Sequence, residues 1–288
     1  MIQLTRERTE AAIPAVFRGS GRRTRELALL RARRKWLQEG GTGTFPLESG
    51  LWKPAKDQLV KETGEKCGYC EASSRAVSHC DVEHIRPKSI YWWLALCWDN
   101  YVLSCQLCNQ TFKSDKYPLQ RDRRLPPPPL DAATTDVALE KLPGTFGPDP
   151  LDDSQGQTRE TFRRHFRDEE PGLIEPYFDN PILYFVWEPD ADQEHVRIKP
   201  RYATGTRNWR ALRSIETLGL NREELLRIRW MTYRPVAQLC EIYKSGLLDT
   251  NAALKARTAA TLRAAMEPRQ FFAGMCRWTI RVQFGLAL

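Results

Sequence analysis

Residues 67–113 hold most of the side chains in this chain that could do chemistry: CGYCEASSRAVSHCDVEHIRPKSIYWWLALCWDNYVLSCQLCNQTFK. Two Cys-x-x-Cys pairs, Cys67/Cys70 and Cys105/Cys108, bracket Asp81-Val82-Glu83-His84, and Asn109 directly follows the last cysteine. Two such pairs a few tens of residues apart fit a tetrahedral zinc site with four thiolate ligands. A site of that kind has no open coordination position, so its role is structural. The competing readings are two unrelated pairs, or redox-active dithiols. Closing the clamp carries Asn109 back toward Glu83 and His84. Carboxylate and amide oxygens are hard ligands suited to Mg²⁺ or Mn²⁺. An imidazole that is not itself a ligand can take a proton from water. The combination is a plan for metal-assisted hydrolysis of a phosphodiester.

These residues resemble the HNH endonucleases, which carry the ββα-metal fold. The resemblance implies His84 as general base and Glu83 as the metal ligand before it. It also implies Asn100, in "WDNYVLSC", as the residue that braces the loop, and Asn109 as the last metal ligand. Many members have Asp where this chain has Glu83, which leaves Asp81 as a rival ligand. "KCGYCE", "DVEHIRPKS", "YWWLALCWDNYVLSCQLCN" and "KYPL" are similar to the HNH nucleases of Septu-type and retron-associated antiphage systems, and "LIEPYFDNPILYFVW" and "SIETLGLNREELLRIR" more loosely so. That likeness implies an ABC/SMC-like ATPase partner, or in retron versions a reverse transcriptase with its small DNA. DNA is the leading substrate. An RNA target such as tRNA, or a zinc module that binds nucleic acid without cutting it, are the alternatives.

The elements that must position the site are legible in part. Glu83 and His84 are adjacent on a strand, and ideal alternation sends them to opposite faces. A bend before Pro87 could bring both to one metal; without it Asp81 shares the face of Glu83 and the ligand set changes. Arg86, Lys88 and Lys113 are the candidate phosphate contacts. The aromatic loop with Tyr91, Trp92, Trp93 and Trp98 is expected to pack more than to stack on bases. Upstream, residues 21–38 form an amphipathic helix with Leu27, Leu30, Ala32 and Leu37 as its apolar stripe, and a second helix covers about 52–63. Residues 124–157 read mostly as loop around the prolines at 126–129. Beyond them, ILYFVW and HVRIK make a hairpin. Helices follow, with Asn221 as an N-cap, Leu225, Ile228 and Met231 on one face, and a break at Pro235.

The expected architecture is α+β and mostly helical. It divides into a basic helical region (1–60), the HNH core with its four-cysteine zinc site (61–118), a Pro-rich linker or insertion (119–172), and a hairpin with C-terminal helices (173–288). The net charge of +8 is uneven: residues 1–36 carry ten basic and three acidic side chains, and residues 199–288 carry sixteen and six. The middle is therefore acidic, and basic flanks could hold a polyanion. No apolar run is long enough to span a membrane. The cysteine use suits a reducing, cytoplasmic setting. The remaining cysteines, Cys80, Cys97, Cys240 and Cys276, read as buried thiols.

Overall fold

A computed structural model of the protein describes residues 1–73, 80–154 and 156–288; Gln155, within the stretch read as loop, lies outside them. The central hairpin is β1 (Cys80–His84) against β2 (Tyr101–Cys105), antiparallel, and a seven-residue π-helix, Leu107–Lys113, follows. Direct cross-strand partners share a face. The register runs from Cys80↔Cys105 to His84↔Tyr101, so Cys80, Val82 and His84 lie with Leu103 and Tyr101. Asp81 and Glu83 lie on the other face with Ser104 and Val102. The first face buries Val82, Leu103 and Tyr101 against Ile13, Phe17 and Leu59. Leu59 belongs to α2 (Lys56–Thr63), which stops at Gly64 in the left-handed conformation. Among the described residues this sheet has two strands, so β1 has no strand partner on its other edge.

The N-terminal helix α1 (Gly19–Gln38) buries Arg22, Glu26, Leu29 and Leu30; of the expected stripe Leu30 is buried and Leu27 packs against the core, whereas Ala32 is exposed. Arg22 donates to Glu26 at 2.7 Å and to the Gly147 carbonyl, and Glu26 accepts from Gly144 N at 2.7 Å. Both charges are thus satisfied by hydrogen bonds, which is what allows them inside. Further along, Arg31 pairs with Glu140 at 3.2 Å and Arg34 with Asp136 at 2.7 Å, and Arg8 pairs with Asp99. Part of the basic N-terminal charge is therefore neutralised inside the molecule by the acidic middle.

The Pro-rich stretch is packed. It carries α3 (Asp136–Leu139) and α4 (Arg159–Asp168), and its Leu139, Phe146, Phe162 and Phe166 belong to the main apolar core. That core also takes Leu4 and Leu30 from upstream, Tyr91 and Trp93 from the β1–β2 loop, and Phe185 and Leu262 from downstream. The second hairpin pairs β3 (Phe185–Asp190) with β4 (His195–Pro200). Four helices follow: α5 (Gly205–Thr217), α6 (Glu223–Lys244), α7 (Ala252–Ala265) and α8 (Ala273–Trp278).

Two expectations for this region fail. Asn221 does not cap a helix. Its amide instead accepts from Ile198 N at 2.9 Å and donates to Ile198 O at 2.8 Å, tying β4 down, and Arg222 occupies the N-cap position of α6. Pro235 does not end the helix either. It lies inside α6, four residues after solvent-facing Met231, where water can take the carbonyl that loses its donor. The buried face of α6 is Leu225, Arg229, Tyr233, Val236 and Cys240, while Ile228 and Met231 face out. None of the described helices is long and apolar enough to cross a membrane.

Candidate active site and metal centre

The two cysteine pairs meet. Their four sulfurs lie within 4.8 Å of one another, with Cys70 Sγ 3.9 Å from Cys105 Sγ. Zn–S bonds of about 2.3 Å in a tetrahedron set sulfurs roughly 3.8 Å apart, so the donor set fits a structural zinc ion. The first knuckle reaches the hairpin through Gly68, whose N–H donates to Leu103 O at 2.8 Å. A Cβ at Gly68 would sit 2.7 Å from Val102 Cγ2, so only glycine permits that approach. In the second knuckle Cys108 N donates to Cys105 Sγ at 3.5 Å as the π-helix begins.

Arg222 covers the cluster, and no sequence pattern singles it out. Its Nη1 lies 3.5 Å from Cys108 Sγ, and its Nη2 3.8 Å from Cys70 Sγ and 3.9 Å from Cys105 Sγ. The turn before it comes close because Gly219 packs on Phe112, where a Cβ would meet the ring at 2.3 Å. Four thiolates on one zinc carry two net negative charges, and buried charge needs a counter-charge. Arg222 is one cation. Buried Arg229 is a second: burial lowers its pKa to about 10, against the pull of Cys70 and Glu71.

A cleft of about 580 Å³ opens beside the zinc knuckles, along the edge of β1 that has no strand partner among the described residues. Asp81, Glu83 and His84 line it from β1, Trp52, Lys53 and Lys56 from the α2 side, and Asn109 and Gln110 from the π-helix. Strand alternation is kept. The chain bends at Ile85 and Arg86, just beyond His84, and residues from both faces of β1 line one opening.

His84 is held tightly. It is 4% exposed, and its Nε2 lies 3.1 Å from the Ala95 carbonyl. A carbonyl can only accept, so Nε2 carries the proton and Nδ1 keeps the lone pair. The ring is wedged edge-on between Trp52 (centroids 4.8 Å apart) and Tyr101 (5.2 Å). Tyr101 also donates to Ala95 O at 2.6 Å, which fixes the acceptor. Burial depresses the His84 pKa to about 3, so the imidazole is neutral at pH 7.

Asn100 is buried and bridges the chain just beyond His84. Its Oδ1 accepts from Arg86 N at 2.9 Å, and its Nδ2 donates to Arg86 O at 3.0 Å and Leu94 O at 3.3 Å.

The acidic residues divide. Glu83 is buried, and its Oε1 is ion-paired with Lys113. Burial raises the Glu83 pKa, and Lys113 opposes the rise. Asp81 is half-buried and accepts from Asn109 Nδ2 at 3.2 Å and Gln110 Nε2 at 2.9 Å. Asn109 is therefore beside Asp81. The Asp81 carboxylate beside the Asn109 amide, with the Lys113-paired carboxylate of Glu83 lining the same cleft, is a set of hard oxygen donors that fits a divalent cation.

Two of the phosphate-contact expectations are corrected. Arg86 is 1% exposed, bound to Glu169 Oε2 at 2.5 Å, with its guanidinium over Phe162 and Phe166. Lys113 is 0% exposed and is used on Glu83 and on the His84 carbonyl, at 3.0 Å. Neither can reach a polyanion from solvent. Lys88 does line the cleft, with Nζ 5.2 Å from the Trp52 ring centre, and Lys53 and Lys56 join it there. No sequence pattern singled out those two lysines; only their place just before the first knuckle could have.

Residues 67–115 match the family model described as HNH endonuclease. The chain is also similar to Septu protein PtuB of Bacillus mycoides (strain KBAB4), at 32% identity over 108 residues, which covers 33% of this chain and 37% of that protein. The match thus spans little more than a third of the relative's length. The hairpin, the four cysteines and most of the cleft lining fall in the matched segment: residues 67–115 carry an HNH endonuclease domain, and the chain is similar to a protein of the Septu type.

Proposed function

We propose that this protein is a metal-dependent endonuclease that hydrolyses phosphodiester bonds in nucleic acid, with DNA as its first substrate. The observation that carries the reading is the tautomer of His84: Nε2 is engaged by Ala95 O, and Nδ1 is the available base in a cleft that also holds Asp81, Glu83 and Asn109. His84 accepts the proton of the attacking water at Nδ1. Trp52 and Tyr101 keep the ring from turning, and Asn100 holds the loop that supplies the Ala95 carbonyl. Lys88, Lys53 and Lys56 attract the phosphate backbone. Glu83, Asp81 and Asn109 would hold Mg²⁺ or Mn²⁺, which supplies stabilisation of negative charge on the phosphate and leaving oxygens. Zinc on Cys67, Cys70, Cys105 and Cys108 supplies folding energy.

The similarity to a Septu protein supports a role as effector of an antiphage defence system. On that reading the chain works beside an ABC/SMC-like ATPase, the partner that the resemblance to Septu-type nucleases implies. The Septu likeness favours this partner over a retron reverse transcriptase with its DNA. The test is incubation of the zinc-loaded protein, alone and with its ATPase, with DNA and with RNA in Mg²⁺, Mn²⁺ or EDTA. Cleavage that needs the divalent ion is expected. Tight nucleic-acid binding with no cleavage in any metal would favour a non-catalytic zinc module instead.

A further inference from the structure

A second pocket adjoins the cleft. The segment 87–93 lines the cleft with Pro87 and Lys88, and a cavity of about 430 Å³ with Ser89, Trp92 and Trp93. Phe45, Arg33 and Arg124 complete its functional wall. The volume lies in the usual range for a small-ligand site, and the lining is aromatic with a few polar groups, as such sites are.

Its polar groups are unusual in one respect. Arg33 Nη1, Ser89 Oγ and Trp93 Nε1 are buried and have no hydrogen-bond partner. Trp93 is 4% exposed, so water does not serve it from outside. Arg33 differs from its neighbours Arg31 and Arg34, each of which is paired with a carboxylate; its guanidinium instead lies over Trp36 at 4.3 Å and near Phe45 and Trp92, both at 5.4 Å. Two of the three orphaned groups, the guanidinium and the indole N–H, can only donate, and the hydroxyl can donate. The ligand that completes such a wall is flat, to lie among rings, and rich in acceptors along one edge.

We propose that this pocket takes one unstacked nucleobase of the strand held in the cleft, read through an acceptor edge such as O6/N7 of guanine or a pyrimidine carbonyl. A single side chain can satisfy that edge: an Arg fork is matched to guanine O6 and N7. Bases unstacked from their neighbours are what aromatic side chains capture in single-stranded recognition. Arg124, paired with Asp122 only at 3.5 Å, is placed to meet the phosphate that follows the base. The inference rests on the nuclease reading. It adds that the protein recognises a locally single-stranded or opened target, with its base preference set outside the cleft.

The test is binding without turnover. Zinc-loaded protein in EDTA is titrated with fluorescein-labelled single-stranded octamers, DNA and RNA, in which an abasic site is stepped through every position. One position is expected to be sensitive, with loss of the base weakening Kd about tenfold, the size of one base–aromatic contact. Trp93→Phe removes the unpartnered N–H together with part of a ring buried in the core, so its zinc content and urea unfolding are measured beside the wild-type protein and binding is compared at equal folded fraction. Trp93→Phe and Arg33→Met are each expected to flatten the profile. A flat profile in the wild-type protein, or one that both variants leave unchanged, overturns the pocket assignment even if cleavage is robust. Failure to bind or cut any nucleic acid would overturn the nuclease reading as well. Comparison of guanine, adenine, cytosine and uracil or thymine at the sensitive position then separates a purine from a pyrimidine reader.

Discussion

Replacing Lys113 by Met probes the ion pair at the heart of the site. Lys113 is buried, pairs with buried Glu83, and donates to the His84 carbonyl at 3.0 Å. Removing one partner of a buried pair typically costs about 3–5 kcal/mol. The penalty has a ceiling, because Glu83 can take up a proton instead. Protonation costs about 1.4 kcal/mol for each pH unit above the unfolded-state value, here 4.5. The ceiling is then about 1.4 kcal/mol at pH 5.5 and about 4.8 kcal/mol at pH 8. The sign is fixed by direction: burial already raises the Glu83 pKa, and without Lys113 it rises further. A carboxyl whose folded pKa is raised contributes fully below its unfolded value and loses stability as pH climbs. Urea unfolding of the zinc-loaded variant should show a loss of about 1–2 kcal/mol at pH 5.5 and about 3–5 kcal/mol at pH 8. Glu83→Gln in the same background should recover most of the pH 8 loss. Equal losses at both pH values, or a loss under about 1 kcal/mol at pH 8, would refute the reasoning.

Three further outcomes follow from the same geometry. Arg222→Gln should speed zinc release to a colorimetric chelator by roughly tenfold, because partners of metal ligands are worth about that much or more; an unchanged rate would mean that the guanidinium merely packs. Asn100→Ala leaves the Arg86 backbone N–H and carbonyl without partners in a buried loop, at a cost of about 2–4 kcal/mol, and should lower kcat more than it raises KM. Equal effects on both would place Asn100 in folding alone. Asp81→Asn and Glu83→Gln, compared by Mn²⁺ titration of cleavage, should each raise the metal concentration needed, and the larger shift identifies the principal ligand; no shift in either removes both from the metal site.

What the sequence disclosed was short-range and compositional. Cysteine spacing identifies a metal clamp without coordinates, because thiolate geometry leaves few alternatives. The adjacency of Glu83 and His84 posed the correct question, since alternation puts them on opposite faces. Its answer, a cleft along the edge of β1 that has no strand partner among the described residues, depends on long-range pairing that no local pattern encodes. Arg86 and Lys113 were misread for a related reason. Positive charge near a motif looks like a phosphate contact until burial is known, and the partner that buries Arg86, Glu169, lies 83 residues away. Arg222 was invisible in the same way, 114 residues from Cys108. The stripe of α1 was legible only in part, at Leu27 and Leu30, because two of its inward positions are the charged pair Arg22 and Glu26, which an apolar periodicity excludes by construction.

The most direct measurement is metal-dependent cleavage by His84→Ala, carried out with the wild-type protein beside it under identical activating conditions and at equal zinc content. Loss of a positioned general base should lower the rate by about 10²–10⁴-fold while nucleic-acid binding in EDTA is kept. A variant that binds zinc, folds and cuts as fast as wild type would contradict the account.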